Sequence, residues 1–160
     1  MASYMPTYAA QIFQTGGATG TGILVASDVF KIAIYTGTVP TASRDLTTQI
    51  YGGASMGTEA TGTNYTSAGI PVAIAASQPA IYTTGGVHYA TVGAAAASVS
   101  WANVTLTSVT YAVLYDNTTS IKYAIAVYDF GGAQTVTANT FQINFSSAFP
   151  SNTLWYLSCN

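Results

Sequence analysis

Charge is what this sequence has least of. Among its 160 residues only Lys31, Arg44 and Lys122 are basic and Asp28, Asp45, Glu59, Asp116 and Asp129 acidic, 5% in all, against about 25% in ordinary soluble domains. Three cations cannot neutralise a run of phosphates, so the composition argues against nucleic-acid binding. Histidine and cysteine occur once each, as His88 and Cys159. A histidine-cluster metal site and an internal disulfide are thereby excluded, and Cys159 reads as an inert thiol. No apolar run approaches the length of a membrane-crossing helix. The opening "MASYMPTYAAQIF" has neither the basic start nor the apolar centre of a secretory signal, so none is expected.

What is present is apolar, small and hydroxylated. Hydrophobic residues make up 49% of the chain, enough for a substantial core. The length suits one domain, residues 1–160, burying roughly 70% of its unfolded surface. With so few charges, the outside must be covered by Thr, Ser, Asn, Gln, Gly and Tyr. Interface centres are depleted in charge and enriched in aromatics, so twelve tyrosines in this setting suggest an assembly subunit whose surface is covered by partners.

The hydrophobic pattern is mostly of period two, which indicates strands. "FKIAIYT" at 30–36 puts Phe30, Ile32 and Ile34 on one face and Lys31, Ala33 and Tyr35 on the other. "GIPVAIAA" reads as a strand held to an edge position by Pro71. "HYATVGAAAASVSWANVTL" reads as two strands parted near Gly93. "VTYAVLYD", "NTTS" and "IKYAIAVYDF" form a hairpin, with Ile121, Tyr123, Ile125 and Val127 sharing a face in the return strand. "TFQINFSS" turns Phe141, Ile143 and Phe145 inward, and "TLWYLSC" supplies a last strand. The one helical candidate is "PTYAAQIFQTGG", capped by Thr7 and ended by Gly16. Residues 37–63 form the expected long loop. These elements predict an all-β domain, an antiparallel β-sandwich or jelly-roll-like barrel, with at most one short N-terminal helix.

Several stretches imitate catalytic signatures. Asp129-Phe130-Gly131 spells the magnesium-holding triplet of protein kinases, yet no other kinase element accompanies it. It reads as a strand end, with Gly131-Gly132 turning the chain. "GGATGTG" at 16–22 lacks the Lys and Ser/Thr of a phosphate loop and reads as a turn. A serine triad built on His88 has no G-x-S-x-G elbow behind it. No enzyme, metal site or cofactor is therefore expected. Asp28 with Lys31, and Arg44 with Asp45, read as surface ion pairs or as charges that fix register at a subunit contact. The tyrosines with Trp101 and Trp155 could be drawn as a sugar platform, but strand aromatics are more often core or interface. The acceptor patterns at Asn64, Asn103, Asn117 and Asn144 read as coincidence.

The order of segments carries a resemblance. The lysine-bearing strand at 30–36 is followed by E-x-x-G-x-x-Y-T-x-x-G-I at 59–70, Trp101 before a Thr-rich strand, Y-D-x-T-x-S at 115–120, a strand ending in D-F-G at 129–131, and "TFQINF" at 140–145. Over roughly residues 28–146 this resembles a group of small structural proteins encoded among the virion genes of tailed bacteriophages. The alanine-rich stretch at 94–97 and the terminal "WYLSCN" lie outside the pattern. The resemblance implies a virion protein and, more narrowly, a capsid decoration (cement) protein on the capsid surface. The partners it implies are the major capsid protein and other copies of the chain, with a trimer favoured. A tail or fibre component and a small sugar-binding adhesin are the competing expectations. Contacts are expected from the two termini and the 37–63 loop, specifically Tyr4, Met5, Arg44, Asp45, Tyr51, Trp155 and Tyr156.

Overall fold

A computed structural model describes residues 2–4, 28–40, 51–53, 56–75, 80–84, 87–118, 122–145 and 153–159, with the backbone alone for 2–4, 80–84, 87–91 and 153–159. The described chain is all-β and antiparallel. Its strands are β1 (Ala2–Tyr4), β2 (Phe30–Thr36), β3 (Thr58–Glu59), β4 (Ile70–Val72), β5 (Ala80–Thr84), β6 (Val87–Gly93), β7 (Ser98–Asp116), β8 (Ala124–Asn144) and β9 (Thr153–Cys159). Six of them form a sheet of order β1-β8-β7-β2-β3, with β4 also on β2; β5, β6 and β9 form a second sheet of order β5-β6-β9. The larger sheet is open, since no described pairing joins β1 to β3. The expected N-terminal helix, the 16–22 turn, Met5, Arg44 and Asp45 lie outside the described residues.

The alternation in β2 is realised on both faces. Phe30, Ile32 and Ile34 join one apolar cluster with Val104, Leu106, Leu114, Ile125 and Ile143. Ala33 and Tyr35 join another with Met56, Tyr111, Val113, Tyr115 and Val127. Both sides of the central ladder are thus withdrawn from water, each fully buried large side chain contributing about 1.5–3 kcal/mol. Pro71, which has no N–H to give a neighbour, sits on β4 opposite Lys31, and among the described strands β4 pairs only with β2, in keeping with the expected edge position. β6 ends at Gly93 and β7 begins at Ser98, matching the expected break, and β9 pairs with β6.

The β7–β8 hairpin is present but longer than the local signals suggest. "WANVTL" and "VTYAVLYD" are one strand of 19 residues, and "TFQINF" lies at the end of the 21-residue β8 rather than in a strand of its own. Five register shifts interrupt the ladder, and two of them alter the expected faces and the expected strand end. Tyr115 opposes Ala124 while Leu114 opposes Ala126, so Ile125 is an inserted bulge residue. Ile125 and Ala126 therefore face the same cluster, and Val127 crosses to the opposite one, away from Tyr123. The expected shared face of Tyr123, Ile125 and Val127 is broken there.

Asp129-Phe130-Gly131 is not a strand end. Tyr111 opposes Asp129 and Val109 opposes Gln134, so residues 130–133 bow out opposite Thr110 before the ladder resumes. The Asp129 carboxylate accepts the Gly131 N–H at 2.8 Å, an Asx turn. Gly131 and Gly132 take φ of 76° and 149°, a region closed to most L side chains. The glycines bend the chain without reversing it.

The segment 58–70 closes the gap along the β2 edge. β3 and β4 cover the two ends of that edge, and between them Ile34 accepts the Ala60 N–H at 2.8 Å and donates its own to the Tyr65 hydroxyl at 2.9 Å. The loop then reaches β7 where β2 has stopped: Thr105 N–H donates to Thr63 O at 3.1 Å, and Asn64 Nδ2 to Asn103 O at 2.8 Å. Two glycines permit this approach. A Cβ on Gly62 would lie 1.9 Å from Thr105 O, and one on Gly69, at φ +67°, 2.0 Å from Ile32 O. Gly62→Ala and Gly69→Ala are each expected to lose about 2–4 kcal/mol in urea unfolding, since backbone must shift to admit the methyl. Gly52→Ala, also at positive φ but with open space around it, should lose only about 1–2 kcal/mol.

Candidate functional site

The densest polar constellation among the described residues is built around Glu59, at the end of β3. Its Oε1 accepts the Tyr65 hydroxyl at 2.9 Å and the Ala68 N–H at 2.7 Å; its Oε2 accepts the Tyr51 hydroxyl at 2.6 Å. Charge-assisted bonds of this kind are about twice as strong as neutral ones. The single carboxylate therefore ties together three points of the chain that are otherwise separate turns. Tyr65 is engaged in both directions, donating to Glu59 while accepting from Ile34 N–H.

Tyrosine rings surround this carboxylate. Tyr51 stacks on Tyr115 with centroids 4.2 Å apart, and Tyr35 on Tyr111 at 5.3 Å. Tyr51 also meets the edge of Tyr35 at 6.4 Å, and Lys122 Nζ lies 5.3 Å from the Tyr51 centroid, within cation–π range. The Tyr51 N–H donates to Lys122 O at 2.9 Å, which brings ring and cation together. Tyr115 donates its hydroxyl to Ala68 O at 2.7 Å, and Tyr111 donates to Met56 O. The buried Tyr35 hydroxyl lies near the Gly52 backbone without a hydrogen bond of good geometry. On the other face Tyr65 stacks over Trp101 at 6.1 Å, and Trp101 leads on to Phe141 and Phe130.

These contacts give the 37–63 segment a definite role. Val39, Tyr51 and Met56 pack on the second face of the sheet, against Tyr35, Tyr111, Val113 and Tyr115. The described parts of the expected long loop are thus a cover for an apolar sheet face, stapled by Glu59. Among the expected contact residues, Tyr51 is part of this cover. Tyr4 is in β1 opposite Val127, while Trp155 and Tyr156 are in β9 opposite Val92 and Thr91. These described residues lie on three separate elements, and Met5, Arg44 and Asp45 lie outside the described residues. Glu59, Tyr65, Tyr115 and Lys122 were not among the expected site residues. The signal for two of them was on view in the E-x-x-G-x-x-Y-T-x-x-G-I spacing, in which Glu59 and Tyr65 are bonded and Gly62 and Gly69 make the close approaches.

No family model, curated protein or solved structure matches this chain. Its chemistry is therefore read from its own geometry. The Glu59 acceptors are occupied by donors of the same chain. Asp116 is fully buried and accepts the Thr118 N–H at 2.7 Å, bracing the start of the hairpin turn. Asp129 braces the 130–133 bow. The arrangement organises backbone, and it leaves the outward side of the β7–β8 hairpin to uncharged groups: Ser100, Asn103, Thr107, Thr135, Thr137, Thr140, Gln142 and Asn144 are exposed.

Burial pushes the Tyr35, Tyr51, Tyr65 and Tyr128 hydroxyls well above the ordinary tyrosine range, and the Glu59 charge adds to this for the first three. Tyr115 is raised to about 12, by burial first and Glu59 second. In the unfolded chain these groups ionise near pH 10. Above that pH the unfolded state has released protons that the folded state still holds, so stability is full below about pH 10 and falls as pH rises further. Alkaline titration is expected to show tyrosinate absorbance of these groups appearing together with loss of β-sheet circular dichroism. Glu59→Gln should cost about 2–3 kcal/mol in urea unfolding and Tyr51→Phe about 1–2 kcal/mol, both without change of fold.

Proposed function

We propose that this chain is a non-enzymatic structural protein of a tailed-phage virion, a capsid decoration protein that binds between subunits of the major capsid protein on the capsid surface. The observation that carries the reading is the division of labour among polar groups. Glu59, Asp116 and Asp129 brace internal turns, while the exposed positions of the long hairpin are Thr, Ser, Asn, Gln and small residues. A surface of this kind contributes contact area and neutral hydrogen bonds, and association through it loses little to salt screening. Repeated by symmetry over a shell, many such contacts reinforce it without any reaction. The ordered resemblance to phage structural proteins supports the same reading, and a trimer on a local threefold axis would satisfy it.

The ring positions weigh against the sugar-binding alternative. Tyr35, Tyr111, Tyr115 and Trp101 are buried, so these aromatics are committed to the interior and cannot act as a stacking platform for a glycan. The test is protein copy number in separated heads and tails of the source particle, by quantitative mass spectrometry. Many copies in heads, in constant ratio to the major capsid protein, are expected. A few copies with the tails would move the chain to a fibre or adaptor, and absence from both would overturn the virion assignment.

A further inference from the structure

We infer that the outer edge of β8 over Thr140–Asn144 is a self-association site, at which two copies of the chain pair β8 against β8, antiparallel, about a twofold axis near Gln142. On one side β8 is paired with β7, with a regular register from Phe141 opposite Trp101 to Asn144 opposite Ser98. On the other side β1 occupies only Val127 to Asp129, and no described strand pairs with β8 beyond that point. An open strand edge is a template for another strand, and monomeric proteins blunt it with charge, proline or a covering element. Residues 130–149 contain no Asp, Glu, Lys, Arg or Pro. The bow at 130–133 and the positive φ of Ala138 disturb the edge upstream, and the Asn139 side chain accepts the Thr140 N–H at 2.8 Å; the register with β7 is regular from Phe141 to Asn144.

A second observation concerns the side chains along the same edge. Phe130, Val136 and Phe141 pack on the first apolar cluster but are only partly buried, and Phe130 meets Phe141 edge-on at 5.5 Å. The cluster therefore runs out to the rim of the sheet along β8 instead of stopping short of it. In an antiparallel pair centred on Gln142, Phe141 of each copy lies opposite Ile143 of the other on this face. The two clusters then become continuous across the axis. On the opposite face Thr140 meets Asn144 and Gln142 meets its own counterpart, all uncharged and able both to donate and to accept. A second copy is the occupant these features fit. The edge carries no charge for a foreign partner to complement, and a neutral edge meets its own copy without the like-charge repulsion that opposes such pairing.

The pairing holds or fails independently of the virion reading, and the experiment separates the two. Sedimentation velocity on the full chain over a range of concentrations is expected to show a reversible dimer whose affinity changes little with salt. Thr140→Lys combined with Asn144→Lys, both at exposed positions, should weaken the dimer at least tenfold while leaving the thermal midpoint unchanged. In a Cys159→Ser background, Gln142→Cys should give a covalent dimer with a short thiol-to-thiol cross-linker, because residue 142 faces itself across the axis. A chain that stays monomeric at every concentration, a dimer indifferent to the two lysines, or failure of Gln142→Cys to cross-link would overturn the inference. A dimer through this edge in a protein absent from phage heads and tails would leave the pairing intact and remove the virion assignment.

Discussion

The structure depends on one constraint: its central strands are apolar on both faces. Ile32, Ile34 and Leu114 look one way and Ala33, Tyr35 and Val113 the other, so a single sheet cannot hide them by packing on one side. Each face needs its own cover. On the first, Val92 of β6 and Ala94 join the cluster from outside the larger sheet, with Val72 beside Phe30 within it. On the second, Val39, Tyr51 and Met56 do so. A hydrophobic cover has no preferred position by itself, because apolar burial is non-directional. Directional contacts must fix it in place.

Glu59 supplies those contacts for the second face. It lies where β3 leaves β2, and its three donors come from the 51–53 turn, from Tyr65 and from the 66–69 turn. The cover, the edge of β2 and the approach to β7 are thereby joined through one carboxylate. This also gives physical content to the motif on which the resemblance rests. Glu59, Gly62, Tyr65 and Gly69 are needed where they are by hydrogen bonding and by backbone approach, which is the chemistry of folding. Likeness in this stretch speaks first to architecture, and the functional proposal draws on the surface beyond it.

That surface follows from how few charges the chain has. With acidic groups bracing turns and Lys122 set over Tyr51, the long hairpin faces outward with neutral hydrogen-bonding groups. Recognition by such a surface relies on shape, area and backbone complementarity, and long-range electrostatic steering contributes little to it.

Much of the fold was legible in the sequence: the all-β class, the two faces of β2, the edge place of β4, the break after Gly93, the β7–β8 hairpin and the inward turn of Phe141, Ile143 and Phe145. All of these are consequences of local geometry, because a strand presents its side chains with a period of two whatever it pairs with. The phase change at Ile125, the continuation of β8 past Gly131-Gly132 and the Glu59 bonds were decided only in the tertiary structure. A bulge exists by reference to the partner strand, and two glycines spell a turn or a bow according to whether pairing resumes beyond them. A carboxylate shows which donors it serves only when turns distant in sequence are brought against it. Period is a property of one strand; register and hydrogen-bond partnership are properties of two.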